Sequence, residues 1–231
     1  MTVITINGQI GTGGPEIAVE IARRLGFDYL DHTILAEAAR RLGATEVALA
    51  EKEQRSPSHG ERLAQFLQTV MERSALTGAG GDPYFGPSLG ILLGQDYTDA
   101  AREPITRADQ VNDDHFIETT KAVIHELANS GEVVITGRAS NFILKDHPDA
   151  FHVGLVSSDM GSRIKIIANR LEISPEEAEK IVNDQEKARV AYFRKFFKVT
   201  TSDPESFHIM LDTHRFDRDR VSSIIIQAAG L

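Results

Sequence analysis

The stretch Val3-Ile4-Thr5-Ile6-Asn7-Gly8-Gln9-Ile10-Gly11-Thr12-Gly13-Gly14-Pro15-Glu16 decides how the rest of the chain is read. An apolar run, a glycine-rich loop and the start of a helical pattern follow one another, which is the order of a phosphate-binding loop. The glycines let backbone N–H groups approach an anion seated at the positive end of the next helix. The working form of such a loop is G-x-x-x-x-G-K-[ST], with Lys on the β/γ-phosphates and a hydroxyl on Mg²⁺. Gly8 and Gly13 hold that spacing, but the Lys position is Gly14, and Pro15 and Glu16 follow. The candidate nucleotide contacts are therefore Gly8, Gly11, Thr12, Gly13 and Gly14. The alternative is a tight strand-to-helix turn that binds nothing, in which Glu16 simply favours the helix dipole.

Working outward, the first strand is expected over Thr2 to Ile6. The helix after the loop accepts Pro15 at its first position, keeps Ile17, Ile21, Ala22 and Leu25 on one face, and ends at Gly26. A short strand from Phe27 to Leu30 runs into Asp31-His32, and an amphipathic helix is expected from Ile34 to Leu42. Residues 45 to 111 read differently. They hold a polar stretch, a helical pattern from Arg62 to Leu76 and a glycine-punctuated run through Gly78, Gly86 and Gly94. So long an irregular segment suits a binding loop, a lid or an oligomer contact such as a homodimer interface.

Regular structure is expected again from His115 to Asn129, capped by Asn112 or Asp113. Strands follow at Glu132–Thr136, Phe151–Val156 and Phe207–Leu211. Ser157-Ser158-Asp159 opens a helix, and Ser174-Pro175-Glu176-Glu177 is a capping box opening a longer one toward Phe197. Val221, Ile224, Ile225 and Ala228 mark a last helix. Five short apolar strands alternating with helices predict an α/β fold, a five-stranded parallel sheet with helices on both faces.

The bulk properties narrow the function. The chain has 231 residues, enough for a single domain with one insertion, and a formal net charge of −9. That charge argues against a broad nucleic-acid or anionic-membrane surface, while a few local arginines can still bind a small anion. Without cysteine there are no disulfides and no thiolate metal sites. The chain opens directly on a strand and holds no apolar run of bilayer length, so a cytoplasmic location is expected. Asp113-Asp114-His115 with Glu118 reads as capping and first-turn acids rather than a metal site.

Taken in order, several segments resemble the cytidylate kinase-like family of P-loop nucleoside monophosphate kinases. They are Ile4-Thr5-Ile6-Asn7-Gly8 with its loop, Leu30-Asp31-His32 and Val134-Ile135-Thr136-Gly137-Arg138. They continue with Asp149-Ala150-Phe151-His152-Val153 leading to Arg163, then Arg189-Val190-Ala191-Tyr192 and Leu211-Asp212-Thr213. The resemblance implies a P-loop NTPase-like three-layer sandwich spanning 1–231. Residues 45–111 would be an acceptor-binding or interface insertion, and residues 174–200 a lid-like helical segment.

It also implies transfer of the ATP γ-phosphoryl group to a CMP-like monophosphate or another small acceptor, with Mg²⁺ carried by water and substrate phosphates. Arginines suit that task because a planar fork grips phosphate oxygens and stays charged. Arg138 would hold the acceptor phosphate or bridge both substrates. Arg189 would close on the donor phosphates with Glu186 as its acidic partner, Arg163 would approach the donor nucleotide, and Asp31 would border the acceptor. An ion pair for Arg138 and solvated helix faces for Arg163 and Arg189 are the plainer readings of the same residues.

Departures from the family pattern set the rival expectation. Gly14 replaces the loop Lys, Glu16 stands where a hydroxyl is expected, and Ala139 follows Gly137-Arg138 in place of an aspartate. Glu16 about 4 Å from a phosphate charge would cost roughly 1 kcal/mol in water-like surroundings and about 4 kcal/mol at a partly buried surface. The rival is a catalytically degenerate P-loop protein acting as a nucleotide sensor or a structural dimer.

Overall fold

The computed structural model describes residues 2–31 and 107–231, with side chains of residues 107–114 left out. The expected helix at Ile34–Leu42, His32 and most of the 45–111 segment lie outside the described residues. The elements are β1 (Val3–Gly8), α1 (Gly14–Leu25), β2 (Asp28–Leu30), α2 (Arg107–Ser130), β3 (Val133–Thr136) and α3 (Ser140–Ile143). They continue with β4 (Ala150–Val156), α4 (Met160–Leu171), α5 (Pro175–Phe197), β5 (Ile209–Asp212) and α6 (Arg218–Ala228).

The strands form one parallel sheet in the order β2-β3-β1-β4-β5. Strand alternation divides the core. Val3, Val133 and Ile135 face Val123, Ile124 and Leu127 of α2 together with Leu144. Ile4, Ile6, Val134 and Val153 face Ile17 and Ile21 of α1 and Val221 and Ile225 of α6. Helices thus cover both faces, as the strand-helix alternation requires, because a parallel sheet has two apolar faces to bury. Each fully buried Ile or Val contributes about 1.5–3 kcal/mol.

One boundary differs from expectation. Asn112 and Asp113 do not cap α2, which begins at Arg107. Neither glycine nor proline interrupts residues 107–130, and interior Asn and Asp are only mildly unfavourable to helix, so the helix runs through both. Within the described residues, the other helix signals hold. Ser174 and Glu177 form the reciprocal capping box of α5, and Asp159 caps α4 by accepting from the Ser162 N–H. Arg194 and Lys195 lie in the last turn of α5, where cations complement the dipole.

The order places β1 between β3 and β4. The chain leaves β1 for one side of the sheet and later returns to the other, so a crevice opens at the carboxyl end of β1, where open α/β sheets bind ligands.

Candidate functional site

The β1–α1 loop lies in that crevice. Gly11 (φ 86°) and Gly13 (φ 74°) adopt the left-handed conformation, which glycine reaches without a Cβ penalty. Gly11 also needs its missing side chain: a Cβ there would lie 2.6 Å from the Arg163 carbonyl oxygen. Gln9 ties the loop to β4, its N–H donating to Leu155 O (3.0 Å) and its Oε1 accepting from Ser157 N (2.9 Å). The Thr12 hydroxyl donates back to Gln9 O at 2.8 Å. Gly13 is the N-cap of α1 and, lacking a side chain, caps none of the first-turn amides.

Two hollows meet at the loop. A cavity of about 110 Å³ is lined by the loop backbone from Gly8 to Pro15, by Thr136 and Gly137, and by Ile167, Arg170, Ile181 and Arg189. It is a phosphoryl-sized space, short of the roughly 300–1,000 Å³ of whole small-molecule sites. An open groove of about 940 Å³ adjoins it, walled by Glu16, Arg170, Thr213, Phe216 and Asp217. Thr12, Gly13 and Arg170 border both.

The arginines are arranged around two carboxylates. Glu186 on α5 accepts the Ile10 N–H at 2.9 Å, and Arg189 donates to the same carboxylate through Nη2 at 2.6 Å. Arg163 reaches it at 3.4 Å while its Nε donates to Ile10 O at 2.7 Å. Burial lowers the Arg163 pKa from its ordinary value, Glu186 opposes that, and Arg189 adds to it. The second carboxylate is Glu16. Arg170 grips it from α4, Nε to Oε1 at 2.8 Å and Nη2 to Oε2 at 2.7 Å. The repulsion expected of Glu16 is therefore offset by a bidentate guanidinium, a partner the sequence did not show.

Of the expected site residues, Gly8, Gly11, Thr12, Gly13, Gly14 and Arg189 line the cavity, and Arg163 docks the loop against α4. Arg138 does not line it. It is 1 % exposed, with its guanidinium 5.8 Å from the Phe116 ring centre and 5.7 Å from that of Tyr192. Gly137, Arg138 and Ala139 are all left-handed, a run that aims Arg138 inward. Asp31 is buried at the carboxyl end of β2, with β3 between it and the loop strand.

Sequence reasoning passed over Arg170, although it follows Arg163 by seven residues on one helix and so shares its face. It also passed over Gln9. Ser162, His214 and Asp159 come together as well, but both contacts address His214 Nδ1, at 2.8 Å from Ser162 Oγ and 3.8 Å from Asp159 Oδ2. A relay needs both ring nitrogens, so this is the capped start of α4. Among the described residues, no three His, Asp or Glu side chains are grouped to hold a metal ion, and no helix is long and apolar enough to cross a membrane.

Comparison with known proteins places these features. Over 107 residues the chain is 27% identical to the cytidylate kinase of Methanopyrus kandleri, covering 43% of this chain and 55% of that enzyme. The chain therefore spans about half the length of this curated relative. Among solved structures, it is similar to an uncharacterized protein from Eubacterium ventriosum, with a TM-score of 0.63 and 16% identity over 100% of this chain and 99% of that one. It is more distantly similar to shikimate kinase from Acinetobacter baumannii, with a TM-score of 0.45 and 15% identity over 98% and 92% of the two chains. Residues 3–215 match the cytidylate kinase-like family, so the match runs from the first strand to beyond the last. The chain belongs to the cytidylate kinase-like family.

Proposed function

We propose that this chain is a phosphotransferase that moves the γ-phosphoryl group of ATP to a CMP-like nucleoside monophosphate or another small acceptor. The observation that carries the reading is the uncapped start of α1, which opens into a phosphoryl-sized cavity edged by Arg170 and Arg189. Backbone amides and guanidinium groups suit this reaction, which depends on positioning and on cancelling charge over the phosphoryl oxygens.

In this reading the triphosphate lies over Gly11 to Gly14, and the nucleoside occupies the groove beside Thr213 and Phe216. An acceptor phosphate oxygen attacks the γ-phosphorus in line, the bond to the β-phosphate oxygen breaks, and ADP leaves. Arg189 offsets the transferring charge and Arg163 holds the loop. Asp31 lines the acceptor side, and Arg138, enclosed by Phe116 and Tyr192, shapes that side from within.

The first turn of α1 does not fit a loop-bound Mg²⁺. Pro15 has no side-chain oxygen, the Glu16 carboxylate is engaged by Arg170, and the Thr12 hydroxyl is directed at Gln9 O.

The second reading is a nucleotide sensor without turnover. It is favoured by the Glu186 carboxylate, which takes the Ile10 N–H and two arginines that a phosphate would use. Calorimetry with ATP, paired with ADP release from Mg·ATP across a panel of monophosphates, separates the two. Binding with acceptor-dependent ADP formation supports the transferase, and binding without it supports the sensor. Absence of nucleotide binding removes both.

A further inference from the structure

We propose that Arg170 is the phosphate-binding cation of this site, supplied from α4 in place of the side chain that the loop lacks at Gly14, with Glu16 as its positioning residue. The inference rests on the reading that the loop holds a polyphosphate.

Position singles out this arginine. Of the three residues that border both the cavity and the groove, Thr12, Gly13 and Arg170, it alone carries charge. Its partner lies beside the last turn of the loop: a Cβ built at Gly13 would be 3.9 Å from Glu16 Oε2. The pair therefore stands where the loop ends and the helix begins, at the level a cation from position 14 would serve.

The fork geometry explains how a paired arginine can still hold an anion. Nε and one N–H of Nη2 are spent on Glu16, which leaves the Nη1 edge outside the pair. A guanidinium can grip a carboxylate along one edge and a phosphate along the other, whereas a lysine ammonium has no fixed second edge. The Arg170 side chain is 12% exposed and that of Glu16 is 25% exposed, so the fork is confined before any ligand arrives. Less rotamer entropy is then lost on binding.

The other two arginines stand elsewhere. Arg163 spends Nε on the Ile10 carbonyl and lines neither hollow, and Arg189, paired with Glu186 through Nη2 and Nε, borders the cavity but not the groove. The pairing also gives Glu16 a use. Without Arg170 it would repel a phosphate, and with Arg170 it fixes the direction of the charge that attracts one.

The test uses the full chain and calorimetry with inorganic tripolyphosphate and with ATP. Arg170→Gln leaves Glu16 half-buried without its partner, so Glu16→Gln/Arg170→Gln, which keeps a neutral hydrogen-bonding pair, is measured alongside it. Wild type binds both ligands, and both variants lose roughly 30-fold in affinity, the scale of losing charged hydrogen bonds. Arg170→Lys restores the charge without the fork and recovers only part of the loss.

If wild type binds and the folded double variant, checked by its melting transition, binds within twofold of it, the assignment of Arg170 is overturned while the phosphate site stands. Full recovery by Arg170→Lys overturns the role of the fork. If wild type binds neither ligand, the site itself is wrong and the assignment falls with it.

Discussion

After β1 the chain turns through left-handed Gly11 and Gly13 into α1, and after β3 it turns through left-handed Gly137, Arg138 and Ala139 into α3. Both turns stand at the carboxyl edge of neighbouring strands, and an arginine is central to each. At the first, the helix start is uncapped and opens to a cavity, and the guanidinium groups around it are held by Glu16 and Glu186. At the second, the helix is a single turn, and Arg138 is packed among Ala139, Phe116 and Tyr192 within an aromatic cluster that includes Phe193. The difference shows what left-handed backbone does not determine. The same device exposes amides where acidic partners keep cations in place, and buries a cation where rings enclose it.

The largest expected effect comes from filling the first turn. Gly11→Ala combines a left-handed conformation with a Cβ 2.6 Å from backbone oxygen, which cannot swing aside. A loss of about 3 kcal/mol is expected, a fall in melting temperature of roughly 6–12 °C for a chain of this size, together with loss of ATP binding. Gly13→Ala shares the backbone conformation, but its nearest neighbour is 3.9 Å away, so about 1 kcal/mol is expected. Equal melting temperatures for the two variants would show that the contact between loop and α4 is not what seats the loop.

Arg138→Ala probes the second turn. It removes a side chain enclosed by two rings, at an expected 2–4 kcal/mol in stability, roughly. ATP affinity should stay within twofold, because Arg138 does not line the cavity at the β1–α1 loop. A large loss of ATP affinity in a folded variant would erase the distinction between the two turns and favour Arg138 as a residue bridging both substrates.

Glu186→Gln has a smaller effect of opposite sign. Loss of the carboxylate charge frees Arg163 and Arg189 and weakens the hold on the Ile10 N–H. Triphosphate affinity should rise about tenfold, equivalent to about 1.4 kcal/mol. A fall in affinity would mean that Glu186 orients those arginines for the ligand rather than competing with it.

How much of this was legible in the sequence depends on the range of each signal. The β1 strand, the glycine spacing, Pro15 at the start of α1 and the Ser174 capping box are local, and all were readable. The sheet, its parallel strands and its two covered faces followed from the alternation of elements. The start of α2 was misread because Asn112 and Asp113 carry a local cap signal that an uninterrupted helix overrides. The Glu186–Arg189 pairing, three positions apart on α5, was readable, but the hold of Glu186 on the loop and the pairing of Glu16 with Arg170 were invisible because their partners are far apart in the chain. Ile10 and Glu186 are separated by 176 positions, and Glu16 and Arg170 by 154. Arg138 was placed at the right edge of the sheet, but nothing local showed that rings close over it.

The smallest effect lies in the sheet that carries the first turn. Thr5 and His152 are register partners across β1 and β4, and Thr5 Oγ1 is 2.8 Å from His152 Nδ1. Burial pushes the His152 pKa down to about 4, with His208 and His147 adding to that and the Leu144 backbone opposing it. His208 is stacked on the ring at 5.0 Å, and its Nδ1 accepts the backbone N–H of His152. A histidine held neutral in the fold but protonated when unfolded makes the unfolded chain take up the proton first. Stability is therefore full above the unfolded pKa near 6.5, declines as the pH falls toward 4, and levels off below that. The carboxylates of Glu20 and Asp212, lowered to about 2 by their hydrogen-bond partners, lose their contributions only below about 4.5. The windows overlap only below about 4.5, so melting temperatures between pH 6.5 and 4.5 separate the histidine from these carboxylates. His152→Gln should flatten the slope there. If the slope persists in that variant, the acid sensitivity belongs to another group, and the strand pair beneath the loop is indifferent to this proton.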